Sequence, residues 1–412
     1  MNIYLIVIIV ILVFNYLLNL FIDVLNVRSA KASLPDEFKD YYDAQKYTKA
    51  QNYLKDKTNF KLANNSFFIL VLISLILSGG FNLIDQFSRS FGFGQILTGL
   101  IFVGLLFLAF QIIEIPFSIY NTFIIEQKYG FNRTKPATFA LDLLKGWGLT
   151  MFIGGLLFAV INWFFIKTGS WAWVLCWLAT TLFQIFMIFI APVLILPLFN
   201  KFIPLEEGEL KTAIDDYARS QDFRLKGVFT MDGSRRSSKS NAYFTGFGRY
   251  RRIVLFDTLI KNHTVDELVS VLAHEMGHYK KKHILKYIAL SIATNGLMFY
   301  ILSLFINNPG LFSAFKMQEL SIYASLLFFS FLYTPIEMIL SVFSNYLSRR
   351  HEYEADRFSV LTYRDPEAFT RALKKLTVDN LSNLTPHPLK VFFSYSHPPV
   401  LLRIKAIQNA LN

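Results

Sequence analysis

Residues 271–283, VLAHEMGHYKKKH, hold two histidines four positions apart with a glutamate beside the first. Positions i and i+4 share a helix face, so His274 and His278 can aim both imidazoles at one metal ion. Glu275 then stands where hydrolysis needs a general base, able to accept the proton of an attacking water. A zinc ion suits this donor set, and catalytic zinc takes three protein ligands while leaving one position open. The third ligand must come from elsewhere in the chain. One hydrolase class finds it as a histidine six residues past the second, but position 284 is Ile. The best source is NYLSRRHEYEADRFSV, residues 345–360, where Glu352 and Asp356 are four apart and share a face. Glu352 can bind the metal there, and Asp356 can hold a ligand histidine in its tautomer. Without a metal motif elsewhere, the same stretch would read as an exposed, salt-bridged helix.

The elements that must position these residues are membrane-like. The chain has 412 residues, 53% of them hydrophobic and 43 of them Phe. Stretches near 3–22, 66–86, 96–120, 148–166, 171–203, 285–306 and 323–346 are each long enough to cross a bilayer. The first lacks a basic leader and a small-residue cleavage site, so it reads as a retained span. The predicted fold class is mainly α: a polytopic membrane protein of about seven helices with a zincin-like domain on one face. Four parts follow: 1–203 with five spans, 204–284 with short strands and the HEMGH helix, 285–346 with two spans, and 347–412.

In the second part, EEGELKTAIDDYARSQDF reads as a helix. The β-branched and aromatic runs of 225–259, broken by Gly and Ser, predict two or three short strands with a hairpin around Gly246 and Gly248. Thr264 with Glu267 three residues on is a capping box that starts the HEMGH helix. That helix is expected to run straight into span six from the cytoplasmic side. Span seven returns to the same side, and the antiparallel pair brings Glu352 to His274 and His278.

Net charge is +12, which in a soluble chain would suggest nucleic acid. Here it reports orientation. With the N-terminus outside, only Arg89, Lys167 and Lys316 of 41 Lys and Arg fall in outside loops. The catalytic segment is therefore expected on the cytoplasmic side, with Lys280, Lys281 and Lys282 at the headgroup boundary and no nucleic-acid partner. Cys176, the single cysteine, lies in the fifth span and excludes an intrachain disulfide. No internal repeat points to a transporter of two related halves.

MDGSRRSSKSNAYFTGF, RIVLFDTL, ELVSVLAHEMGHYKKKH, SRRHEYEAD and YSHPPVLLRIKAI, in that order, resemble the integral-membrane zinc metalloproteases of the CaaX prenyl protease type 1 family. EQKYGFNRT adds a weaker match. The resemblance implies one zinc on His274, His278 and Glu352, with Glu275 as base and Asp356 as a proton donor or orienting residue. It implies that SNAY, with Asn241 and Ala242, is an edge strand that pairs with substrate backbone. It also implies that His397 and Arg403 contact the substrate carbonyl or the developing oxyanion. The substrates would be peptides or proteins, possibly prenylated, met at the lipid bilayer, and the spans would form a helical barrel around a water-filled chamber.

Glu114 and Glu337, costly in lipid, would face that chamber or a partner, with Pro116 and Pro335 kinking their helices. A short 307–322 loop and an ending without a retention signal favour a bacterial plasma membrane over the endoplasmic reticulum. Two other readings compete. A quality-control protease of the heat-shock type should have about four spans, and a transporter or channel should show repeat symmetry and hold no stoichiometric zinc.

Overall fold

Among the described residues, 2–31, 33–223, 225–245 and 252–410 of a computed structural model, seven helices are long and apolar enough to cross a membrane. Five come first: α1 (Ile3–Arg28), α2 (Ala44–Ser78), α3 (Gln95–Glu126), α4 (Pro136–Lys167) and α5 (Gly169–Phe199). The chain then forms a short strand, α6 (Glu209–Ser220), three more strands and α7 (Val265–Lys280), and returns through α8 (His283–Ser303) and α9 (Ile322–Tyr363). Two further helices, α10 (Pro366–Asp379) and α11 (Val400–Asn409), pack beside the lower half of α9. The most apolar window of each span is at most 22% buried, and large apolar residues such as Leu182 and Phe186 stay exposed, as a bilayer allows and water does not.

Each span touches the next, and α9 touches α1, which closes the seven into a ring. Phe81, Phe102, Phe312, Phe315 and Phe328 plug one end, with the rings of Phe315 and Phe328 stacked 3.7 Å apart. The second span differs from the expected 66–86. Its helix begins at Ala44, so the charged loop and the apolar run are one element, and it breaks at Gly79. There φ is +80°, a conformation that costs glycine little and ends the helix, and residues 80–89 form a separate helix. Pro116 sits within α3, and four residues later the helix loosens into a π turn over Tyr120–Glu126.

The strands are β1 (Phe202–Pro204), β2 (Gly227–Met231), β3 (Ala242–Thr245) and β4 (Arg252–Phe256): three within 225–259 as expected, and β1 ahead of that stretch. Their order is β1-β2-β4-β3, with β2 parallel to β4 and the other pairs antiparallel. The turn expected around Gly246 and Gly248 lies outside the described residues. Val228, Ile253 and Leu255 on the sheet meet Ile214 of α6 and Leu268, Leu272 and Met276 of α7 in one core. Each such side chain contributes about 1.5–3 kcal/mol by leaving water.

That core fixes α7 from one side and α9 fixes it from the other. The capping box of Thr264 and Glu267 starts α7 as the sequence predicts. Gly277 permits the approach to α9, because a Cβ there would lie 3.0 Å from the Ala355 Cα. The expected continuous run into span six does not occur. Lys282 adopts φ +58°, which stops α7 and lets α8 start in a new direction. The 42 residues of α9 extend about 60 Å, roughly twice the hydrocarbon thickness of a bilayer. One helix therefore spans and then projects, carrying Glu352 and Asp356 beyond the apolar zone. The division drawn at 346/347 falls inside it.

Candidate metal centre

Two helices supply the ligand set. His274 and His278 project from one face of α7, and Glu352 projects from α9 between them. The Nε2 atoms of His274 and His278 are 3.1 Å apart. Glu352 lies 3.2 Å from His278 Nε2 through Oε1 and 3.5 Å from His274 Nε2 through Oε2. With one oxygen taken from Glu352, the three donor atoms lie within 4.8 Å of one another, a group compact enough to close on one ion with bonds of about 2.0–2.1 Å. The donors also suit a cation: Glu352 Oε2 is buried and makes no hydrogen bond, with the Arg403 guanidinium facing it at 3.4 Å, so it keeps acceptor capacity for a metal.

The remaining atoms of the ligands are held from behind. His274 Nδ1 is 2.8 Å from Asp356 Oδ1. Asp356 is ionised and can only accept, so His274 donates from Nδ1 and, as the neutral ring that binding a metal requires, presents an Nε2 lone pair to the metal position. Phe369 of α10 stacks on the His274 ring at 5.6 Å. Burial disfavours a charged His274, but Asp356 and Glu352 outweigh it and hold the pKa of the metal-free imidazole up to about 9. Glu275, half-buried on the same turn, has its carboxyl pushed above the ordinary range by burial, against the opposing pull of His274 and His278. A base with a raised pKa takes a proton more readily and suits work near neutrality.

Arg403 reaches the site from α11. Its guanidinium forms a fork with Asp356, Nε to Oδ2 at 2.9 Å and Nη2 to Oδ1 at 2.5 Å, while Nη1 lies 3.4 Å from Glu352 Oε2. The side chain is only 11% exposed, so its donors are committed to carboxylates. His397 is the opposite case: 63% exposed, with Nε2 3.4 Å from Glu352 Oε1, it stands at the open side of the site.

β3 is the edge of the sheet and packs through Ala242 and Phe244 on the α7 core. The Phe256 N–H donates to the Asn241 carbonyl, which places 241 and 243 in the hydrogen-bonded register. Ala242 and Phe244 consequently turn their backbone groups to the free edge. The Asn241 side chain occupies the Ala242 N–H at 2.9 Å.

Of the two intramembrane acids, Glu114 accepts from Asn64 at 3.2 Å. Glu337 lines a cavity of about 640 Å³ between α4, α8 and α9, whose rim at Tyr287 touches His351. Sequence reasoning missed a cluster behind His278, made of His283, His351 and Glu354. The available signal was the histidine five places after His278 and the second glutamate in HEYEAD.

Residues 23–201 match the model described as CAAX prenyl protease N-terminal, five membrane helices, and residues 204–411 match Peptidase family M48. The chain belongs to peptidase family M48. A probable CAAX prenyl protease 1 of Schizosaccharomyces pombe is 36% identical over 387 residues, covering 89% of this chain and 80% of the relative. A CAAX prenyl protease 1 homolog of Arabidopsis thaliana is 35% identical over 95% of this chain and 94% of its own length. The crystal structure of S. mikatae Ste24p superposes with a TM-score of 0.93 at 30% identity, covering 98% of this chain and 99% of that one. The protein is thus a multi-pass membrane metalloendopeptidase of the Ste24 type, and its fold class is as the sequence predicts. These relatives are fungal and plant proteins, and they lend no support to the expected bacterial membrane.

Proposed function

We propose that the metal is one zinc ion held by His274, His278 and Glu352, and that the enzyme hydrolyses a peptide bond near the C-terminus of prenylated proteins. The convergence of the two imidazole Nε2 atoms, 3.1 Å apart, and the Glu352 carboxylate within 4.8 Å, with Glu275 on the adjoining position, carries the reading. Zinc bound there would polarise the scissile carbonyl and acidify the attacking water. Glu275 accepts the proton of that water as its oxygen bonds to the carbonyl carbon. The same carboxyl then delivers the proton to the amine nitrogen as the C–N bond breaks. His397 donates a hydrogen bond to the carbonyl oxygen as charge develops on it, and Arg403 acts by holding Asp356.

The free edge of β3 pairs with an extended substrate, Asn241 releasing the Ala242 N–H as the peptide arrives. The prenyl preference comes from the names of the relatives, and the N-outside, site-inside orientation comes from the Lys and Arg distribution. Purified enzyme should cleave a farnesylated C-terminal peptide and be silenced by a chelator, with products identified by mass spectrometry. Ala242→Pro, which removes an edge donor, should raise KM rather than lower kcat. Equal cleavage of farnesylated and unmodified peptides would remove the lipid from the proposal and leave the protease.

A further inference from the structure

A metal ligand needs a lone pair, and nothing in the triangle itself decides which nitrogen of His278 carries the proton. His278 Nε2 faces Glu352 Oε1 at 3.2 Å, to which it could equally donate. The answer lies on the other side of the ring. His278 Nδ1 is 3.0 Å from His283 Nδ1, and His283 Nε2 is 3.1 Å from Glu354 Oε2. Arg350 at 3.5 Å and Lys286 at 3.9 Å face the same carboxylate and favour its ionised, acceptor-only form. His283 must then donate from Nε2 to Glu354, which leaves its Nδ1 as an acceptor. An acceptor there requires a proton on His278 Nδ1, and the His278 Nε2 lone pair turns to the metal position.

We infer that His283 and Glu354 are positioning residues that set the metal-binding tautomer of His278, as Asp356 sets that of His274. The two ligand histidines are thereby fixed by carboxylates at one and two steps' remove. The backbone is built for this contact. On an unbroken helix, residues five apart lie about 140° apart around the axis and do not meet. The left-handed Lys282 breaks the helix between them and swings His283 back onto His278. His283 is 1% exposed and lies flat against the His351 ring at 4.0 Å and 10°, so its plane is set from a second direction.

This inference rests on the proposed metal site and is tested by zinc affinity, read by chelator competition on the purified full chain, alongside the melting temperature of the metal-free protein. His283→Leu, which cannot accept a hydrogen bond, should weaken zinc by roughly 10- to 100-fold. His283→Gln, whose amide oxygen can accept from His278 Nδ1, should recover most of that loss. Glu354→Ala should weaken zinc as well, and combining it with His283→Leu should add almost nothing, because Glu354 acts only through His283. Should His283→Leu not fold, Glu354→Ala and His283→Gln carry the test. Gln no better than Leu, full additivity in the double variant, or wild-type affinity in Glu354→Ala would each overturn the relay. Wild-type protein that binds no zinc would remove the metal reading itself, and the relay with it.

Discussion

Glu275 and Arg403 show how far the same burial can lead in different directions. Glu275 is half-buried, and burial pushes its carboxyl above the ordinary 4.5 against the pull of His274 and His278. As a base it works only ionised, and that form is lost as pH falls through the raised pKa. Measured with zinc in excess, kcat/KM should therefore fall on acidification, and activity that rises below about pH 5 would contradict an ionised base. Glu275→Gln should keep the metal and lose most turnover. Arg403 is buried too, but against Asp356 and Glu352, whose charges outweigh burial and raise its pKa. Sequence reasoning expects Arg403 and His397 to act alike on substrate, and their surroundings separate them. Arg403→Ala strands a buried carboxylate, which costs about 3–5 kcal/mol and should depress the melting temperature sharply. His397→Ala removes an exposed ring and should lower turnover without moving it. Similar melting of the two variants would show that Arg403 is not the structural anchor of Asp356.

At the scale of elements, the site is a contact between α7 and α9, and the width of that contact is set by Gly277. A side chain there meets Ala355 Cα at 3.0 Å and Ala355 O at 3.1 Å, both backbone atoms that cannot turn aside. Gly277→Val should wedge the helices apart, separate His278 from Glu352 and release zinc, all checked by elemental analysis of the folded variant. The destabilisation should fall in the 1–3 kcal/mol typical of overpacking. Retention of full zinc would mean that the helices tolerate a wider spacing than the ligand triangle suggests. The same pair of helices shows what was legible beforehand. His274, His278, Glu352 and Asp356 follow the i, i+4 rule on regular helices, and the antiparallel return of span seven is enough to bring them together. His283 obeys no such rule, because its contact exists only through the break at Lys282, and lysine carries no signal for a left-handed residue. Gly79, a residue type that does carry one, ends α2 inside an apolar run whose hydrophobicity hid the break. β1 was lost for a related reason: Phe202–Pro204 continues directly from the apolar fifth span, and only pairing with β2 defines it as a strand.

For the whole molecule, seven spans closed into a ring place the site at one end and the plug of Phe81, Phe315 and Phe328 at the other. Span number and order were readable from apolar runs, whereas ring closure depends on which helix faces touch, and uniformly apolar spans do not encode that. The proposed side of the membrane for the site rests on charge. Lys280, Lys281 and Lys282 are all exposed where α7 meets α8, while Lys167 is exposed at the far end of α4. Basic residues near the ends of spans are retained on the cytoplasmic side, and the loop that holds Lys167 has no other. Cys176 makes a direct test practical, since it is the sole cysteine and is fully buried. In a Cys176→Ser background, a cysteine at Lys281 and another at Lys167 differ only in the side on which they emerge. A membrane-impermeant maleimide added to intact cells should label Lys167→Cys if the chain sits in the plasma membrane. In an internal membrane, selective permeabilisation of the plasma membrane should expose Lys281→Cys instead. In both cases the two sites should label reciprocally, with Lys281→Cys on the cytoplasmic side. Labelling of Lys281→Cys from the outer or lumenal side would invert the molecule and place proteolysis across the membrane from cytoplasmic substrates.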